Sequence, residues 1–530
     1  MRIIYLRICA LPKINYYLRT VPPSSTFEAT RRIDDRLLTA CLNILNLQER
    51  YLSTSHGSNE RLVITELFHQ KIRMGGLGFS NSTSIAPTAY LGSAALTFSH
   101  FSRLGAVTDT YNPETNPIPE IPMFSELINI IASLKNEPGN DVILREIDIY
   151  SILKVSTPGL QTLLNLSSSE RRAAKIIELG PQRSRATSVG IAKGVNFETK
   201  KDAETRTQRL GQSTKAAGAV LSMMPKHASG AVGSIPDRQF REVWGLIAGI
   251  PASAHKELYC PCGEKEPLER SLGHCLSCRI PATRGVLRGN NHRIVQDATS
   301  LILQDAYSTF YRVSNNPVVE DHFERTIAPR PSSIPSPPSA AEAEEQVDNT
   351  NFKAHKFKQG IGKDARFRAD ILLTPTLSEA LKGAKEILYD CTEVHPTSGY
   401  ALKNYEKGGD AAEAAEKRKY DLYGKQFIFD KDQLTIIAWE TNGALSVATQ
   451  QLLRSAATYK SNSLGVDYAR TLQCYFQQLS HAIHLGRANA TLSAVEKVVL
   501  RPEQRLDPNG PNFKALTNKS TFKQVQAQRK

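Results

Sequence analysis

RFRADILLTPTLSEALKGAKEILYDCTEV, residues 366–394, holds two short apolar runs, Ile371–Leu373 and Ile387–Tyr389, and each touches an acid. Asp370 opens the first run and Asp390 closes the second. Both runs are near-continuous rather than alternating, the pattern of strands covered on both faces. A carboxylate at the end of a buried strand is costly unless it is paired, hydrogen-bonded or bound to a metal. The intervening stretch of about a dozen residues fits a turn or a short helix. A helix start follows at Gly409, with Asp410 placed to cap it and Glu413 to reach back. That helix is expected to end near Tyr423, with Gly424 as a left-handed terminator. Apolar runs at Gln426–Phe429 and Leu434–Trp439 come next, then helices from about Leu445 and Asp467. The order strand, strand, helix, strand, strand, helix, helix predicts an α/β domain.

Two acids on neighbouring strand ends can hold a divalent ion for phosphodiester cleavage, and oxygen ligands suit magnesium or manganese. The plain structural alternative is a salt bridge from Asp370 to Arg366 or Arg368 and a loop hydrogen bond for Asp390. Glu393, three residues past Asp390, faces the other side of a regular strand and stays outside the candidate site.

The chain has 530 residues, 40% hydrophobic and 22% charged, which fits a multidomain globular protein. Its formal charge of +14 favours a polyanionic partner such as nucleic acid. The excess is uneven. Glu170–Lys215 carries eleven Lys/Arg against five Asp/Glu, and Arg501–Lys530 seven against two, the latter reading as a basic disordered arm. Arg7 interrupts the apolar N-terminal run and no convincing cleavage site follows, which argues against a signal peptide. No stretch approaches the apolar length of a membrane-spanning helix.

Four of the eight cysteines crowd into residues 260–278 while Cys9, Cys41, Cys391 and Cys474 are scattered, so a disulfide framework is not expected. That usage fits a reducing compartment, nuclear or cytoplasmic. Cys260, Cys262, His274 and Cys278 form C-x-C-x11-H-x3-C, with Gly263 and Gly273 letting the backbone turn. Four such ligands suit a structural, tetrahedral zinc. Cys275 is a rival for the last position and His292 a more distant one.

Toward the N-terminus, residues 27–49 place Ile33, Leu37, Leu38, Cys41, Leu42, Leu45 and Leu47 near helical spacing, with Asp34 and Asp35 on the solvated face. Gly75-Gly76-Leu77-Gly78 lacks the preceding strand and following Lys-Ser/Thr of a phosphate loop, and reads as a tight turn before a helical segment, Ala86–Phe98. Residues 328–350 are proline- and serine-rich with an acidic end, the composition of an extended linker.

Taken in order, YYLRTVPPSSTFEATRRIDD (16–35) and RMGGLGFSNSTSIAPTAYLGS (73–93) resemble the stretch just after the polymerase palm in non-long-terminal-repeat retrotransposon reverse transcriptases. In those proteins a Cys/His knuckle and an R-H phrase, partly matched here by Asn291-His292-Arg293, precede a C-terminal endonuclease. Arg368-Ala369-Asp370-Ile371 resembles that endonuclease's R-P-D-I-like phrase. Asp390-Cys391-Thr392 stands where the PD-(D/E)xK superfamily has its second acid and x-K, and Trp439-Glu440-Thr441-Asn442-Gly443 resembles another of its phrases. Thr392 occupies the lysine position, and threonine cannot supply the positive charge that stabilises the transition state. The resemblance implies a lysine from the next helix instead, Lys419 or Lys417. These lie about 200° apart on a helix, so one alone can face the strands, and the K-Y phrase favours Lys419.

The expectation is therefore a helical N-terminal half, a small zinc-binding module and a C-terminal α/β restriction-endonuclease-like domain. Its segments are a thumb-like helical remnant (1–110), a basic helical connector (111–235), a zinc-knuckle module with its following helix (236–327), the linker (328–355), the endonuclease-like domain (356–495) and a basic tail (496–530). The resemblance implies a nucleic-acid-binding protein that nicks DNA. Asp370 and Asp390 would be magnesium or manganese ligands and Lys419 or Lys417 the charge stabiliser. Zinc would be structural, DNA and element RNA the partners, no membrane would be involved, and no polymerase site is present. The alternative is a catalytically inactive remnant that binds nucleic acid through the zinc module and basic segments.

Overall fold

The computed structural model describes residues 3, 6–53, 58–103, 122–148, 151–152, 157–179, 210–211, 214–222, 235–248, 281–319, 322–323, 369–396, 405–430 and 432–500. Cys260, Cys262, His274 and Cys278, the linker at 328–355 and the basic residues 501–530 lie outside them. The described chain is mostly helical with one small mixed sheet. None of its helices is long and apolar enough to cross a membrane.

The N-terminal half begins with α1 (Leu11–Thr20) and α2 (Pro23–Leu45), followed by α3 (Asn59–His69) and α4 (Ser82–Arg103). The helical spacing of Leu37, Leu38, Cys41, Leu42 and Leu45 buries one face of α2 against Val63, Ile64, Leu67 and Phe68 of α3. Asp34 departs from its expected solvated place. It is buried, and its carboxylate accepts from the backbone N–H groups of Ser82 and Thr83 at 2.9 and 3.0 Å, capping α4, while Asp35 stays exposed. Free N–H groups at a helix start are a better partner for a carboxylate than water. The GGLG stretch turns the chain between α3 and α4. Gly78 has φ +75°, and a Cβ at Gly76 would stand 2.2 Å from the Gln70 carbonyl, so only glycine fits. The longer helices α5 (Pro122–Lys135), α6 (Leu160–Glu178) and α7 (Asp237–Ala248) follow in this half.

The long helix α8 (Pro281–Tyr307) leads into β1 (Tyr311–Asn315), β2 (Ile371–Pro375) and β3 (Ile387–Val394). After α9 (Asp410–Gly424) come β4 (Leu434–Glu440), α10 (Val447–Leu464) and α11 (Tyr468–Leu500). The sheet order is β1-β2-β3-β4, with the first two pairings antiparallel and β3–β4 parallel, joined through α9. Ile371, Leu373, Tyr389, Cys391, Ile437 and Trp439 pack on one face against α8, α10 and α11. On the other, Val394 and Ala438 meet Ala411, Ala412 and Ala415 of α9. Cover on both faces is why the strands read as unbroken apolar runs.

Three local expectations differ. The run Gln426–Phe429 forms no strand of the sheet; Phe427 and Phe429 turn in to pack around Tyr423 and Phe323. The first strand instead lies at 311–315, before the proline-rich segment. That segment, expected to separate two domains, therefore falls between two paired strands of one sheet. Helix α9 is also capped differently. Gly409, at φ +103°, is its N-cap, so Asp410 points back to accept from the N–H groups of Glu406 and Lys407, and Glu413 pairs with Lys407. Gly424 lies inside the helix, and the C-cap Lys425 is right-handed.

Candidate active site

β2 and β3 run antiparallel with Ile371 opposite Tyr389, so the next step beyond the ladder sets Asp370 opposite Asp390. Directly opposed residues on antiparallel strands share a face, with Cβ atoms about 5 Å apart. Two acids 20 positions apart in sequence thus meet at the start of β2, close enough to hydrogen-bond when one is protonated; Asp390 lies within β3, opposite Ile436 of β4, rather than at its expected strand end.

Asp390 is 3% exposed. Burial pushes its carboxyl up to about 6, with Lys419 opposing the rise and Asp370 adding to it. Lys419 Nζ stands 2.7 Å from Asp390 Oδ2, an ion pair rather than an aligned hydrogen bond. The lysine faces the strands because Ala411, Ala415 and Lys419 stand four residues apart along α9, and the two alanines pack on the sheet. Lys417 lies on the solvent side and is exposed.

Asp370 is held from three directions. His292 Nε2 of α8 is 2.9 Å from Oδ1, the backbone N–H of Cys391 donates to Oδ2 at 2.5 Å, and Gln296 donates to the Asp370 carbonyl at 2.8 Å. Burial alone raises the Asp370 carboxyl, but His292 and the Cys391 N–H outweigh it and leave it below the usual carboxylate value. Burial likewise opposes protonation of His292, and the Asp370 carboxylate more than offsets that, raising the imidazole. From the sequence, His292 stands as a distant zinc rival and as part of the Asn291-His292-Arg293 partial match to an R-H phrase, and nothing singles out Gln296. The described partner of Asp370 is His292; Arg366 and Arg368, its expected salt-bridge partners, lie outside the described residues. Glu393 does face away from the acids, with Oε1 accepting from Asn291 of α8.

Glu440, at the end of β4, is fully buried and fastens the start of α9. It accepts from the N–H groups of Gly409 and Ala411 at 3.1 and 3.0 Å, from Tyr405 at 2.6 Å and from Asn442 at 3.0 Å. Burial pushes its carboxyl up to about 7 against the pull of these donors. Glu440 thus supplies the cap that Asp410 and Glu413 do not, and sets where α9, and Lys419 with it, lies over the sheet.

Among the described residues no three His, Cys, Asp or Glu side chains are grouped so as to hold a metal ion. The donor set at the start of β2 is two carboxylates. That is too few for a closed all-protein centre, but it matches how magnesium binds, through one or two carboxylates with waters and substrate phosphates completing the shell. The opposed acids suit a cation: burial is the main cause of the raised Asp390 carboxyl and Asp370 adds to the rise, and a divalent ion between the two would offset both.

No protein-family model matches the chain. Over 169 residues it is 27% identical to a protein described as a probable cell division protein WhiA of Corynebacterium diphtheriae, a match covering 31% of this chain. The chain spans about half that relative's length, 47%.

Proposed function

We propose that the chain is a nucleic-acid-binding, retrotransposon-derived protein whose C-terminal sheet carries a divalent-metal-dependent, DNA-nicking site. The single observation that carries this reading is the meeting of Asp370 and Asp390 at the start of β2 with Lys419 Nζ 2.7 Å from Asp390. Asp370 and Asp390 would hold magnesium or manganese, which supplies Lewis-acid activation of the phosphodiester. Lys419 takes the place that Thr392 cannot fill, and its ammonium stabilises negative charge as it builds on the phosphate. The Cys391 N–H and His292 keep Asp370 ionised and aimed. The net charge of +14 supports a nucleic-acid partner. Structural zinc on Cys260, Cys262, His274 and Cys278 remains part of the proposal, checked by metal analysis of purified protein, where about one equivalent is expected.

A second reading has its own observation. Lys419 and His292 already pair with the two carboxylates, so the arrangement is electrostatically complete without an ion. A repurposed remnant that binds nucleic acid and does not cut would look the same. A nicking assay on supercoiled plasmid with magnesium or manganese separates the two. Cleavage by the parent that is lost in Asp390→Ala supports the nuclease; no cleavage by the parent with either metal leaves the binding remnant.

A further inference from the structure

Resting on that metal-site reading, we propose that His292 is the positioning residue of the site, fixing the Asp370 carboxylate in the orientation that, with Asp390, receives the divalent ion. His292, Gln296 and Ser300 fall four residues apart along α8, and all three turn toward the start of β2 and the end of β1. His292 meets Asp370 Oδ1, Gln296 donates to the Asp370 carbonyl and to Asn316 Oδ1 at 3.1 Å, and Ser300 Oγ donates to Asn315 Oδ1 at 2.6 Å. Asn316 N–H adds a further bond to the same Asp370 carbonyl at 2.8 Å.

The stripe divides its work. Gln296 and Asn316 hold the backbone of Asp370, and the Cys391 N–H holds one carboxylate oxygen. Among the described side chains of α8, His292 is the one that reaches the other oxygen. The terminal torsion of an aspartate is broad and nearly two-fold, so one bond leaves the carboxylate free to swing and a second on the other oxygen stops it. With a carboxylate as acceptor, His292 Nε2 carries the proton. The imidazole is itself placed by the fully buried Trp439, whose ring centroid lies 5.9 Å away at 31°. Groups that orient a metal ligand in this way typically contribute 10–100-fold to metal affinity.

The test is manganese binding to the full chain, followed by the electron paramagnetic resonance signal of the free ion. The parent is compared with His292→Ala, His292→Asn and His292→Gln, with Asp390→Ala as control. A glutamine amide reaches about where Nε2 stands, whereas an asparagine amide reaches only as far as Nδ1. Alanine and asparagine are expected to weaken binding about tenfold or more, and glutamine to return it to within about threefold of the parent. A merely structural histidine would not show that selective rescue. Alanine binding as tightly as the parent, or glutamine no better than alanine, overturns the proposal. If Asp390→Ala abolishes binding while His292→Ala does not weaken it, the role of His292 alone falls. If the parent binds no manganese, or Asp390→Ala binds it like the parent, the metal-site reading falls and the role of His292 with it.

Discussion

Lys419 and Lys417 are two residues apart and have opposite situations: one ends an alanine stripe on the sheet, the other is exposed. Lys419→Ala should lower the plasmid-nicking rate about a hundredfold or more, the scale of losing one group aimed at transition-state charge. Lys417→Ala should leave the chemical step near the parent rate, and equal losses in both variants would contradict the assignment. Glu440 gives a residue-scale prediction that does not depend on activity. Its folded-state value of about 7 lies above the ordinary glutamate value of 4.5. The folded protein therefore holds the proton more tightly than the unfolded chain. The resulting stability is fully present below the ordinary value and is lost as pH rises through about 7. Glu440→Gln cannot ionise, so between pH 5 and 8 its denaturation midpoint should decline less than the parent's, a difference of about 2–3 kcal/mol at most. Parallel curves would contradict the buried, raised carboxyl.

The three residues that stand together were legible in sequence for different reasons. Asp370 and Asp390 flank apolar runs whose opposition follows from strand pairing. Lys419 was separable from Lys417 only by a K-Y phrase, although the alanines at 411 and 415 carried the stronger physical signal. His292 stood in a partly matched R-H phrase, but its pairing with Asp370 was not legible, because that contact joins a helix to a residue 78 positions away.

At the scale of elements, α9 ties chemistry to fold. It carries Lys419, links the parallel pair β3 and β4, and is capped by a carboxylate from β4 rather than by its own Asp410. The capping sequence was misleading because Gly409 takes φ +103°, a conformation that turns Asp410 away from the first turn. A side chain at 409 is strained twice, by that φ and by a Cβ 2.8 Å from the Leu445 carbonyl. Gly409→Ala should cost about 1–3 kcal/mol and shift the start of α9, lowering nicking beyond what the stability loss explains. Chemical denaturation measures the first effect, and an unchanged midpoint would contradict the strain. Elements with strong periodicity, such as α2, were readable from spacing alone. The aromatic run at 426–429 was not, since Phe427 and Phe429 serve helix and loop packing as well as they would a strand.

At the scale of the molecule, the sheet is assembled across a long proline-rich segment: α8 and β1 come before it and the remaining strands after. Composition marked the segment as a linker but could not tell whether it joins two domains or two strands, because pairing partners so far apart leave no trace in local sequence. A fragment of residues 356–500 lacks α8 and β1, uncovers Ile371, Leu373 and Tyr389, and opens the edge of β2. It should bind a hydrophobic dye and melt without a cooperative transition, whereas a fragment of residues 281–500 should fold. A cooperative melt of the shorter fragment would contradict this account of the sheet. The meeting of α8, β2, β3 and α9 is also what gathers His292, Asp370, Asp390 and Lys419 at one point.

The proposed site requires that Asp370 and Asp390 share one divalent ion. The most direct measurement is the anomalous difference map of a crystal soaked in manganese. A peak is expected about 2.0–2.2 Å from a carboxylate oxygen of each aspartate. No peak there at saturating manganese, with Lys419 and His292 still seated on the two carboxylates, would contradict the shared ion.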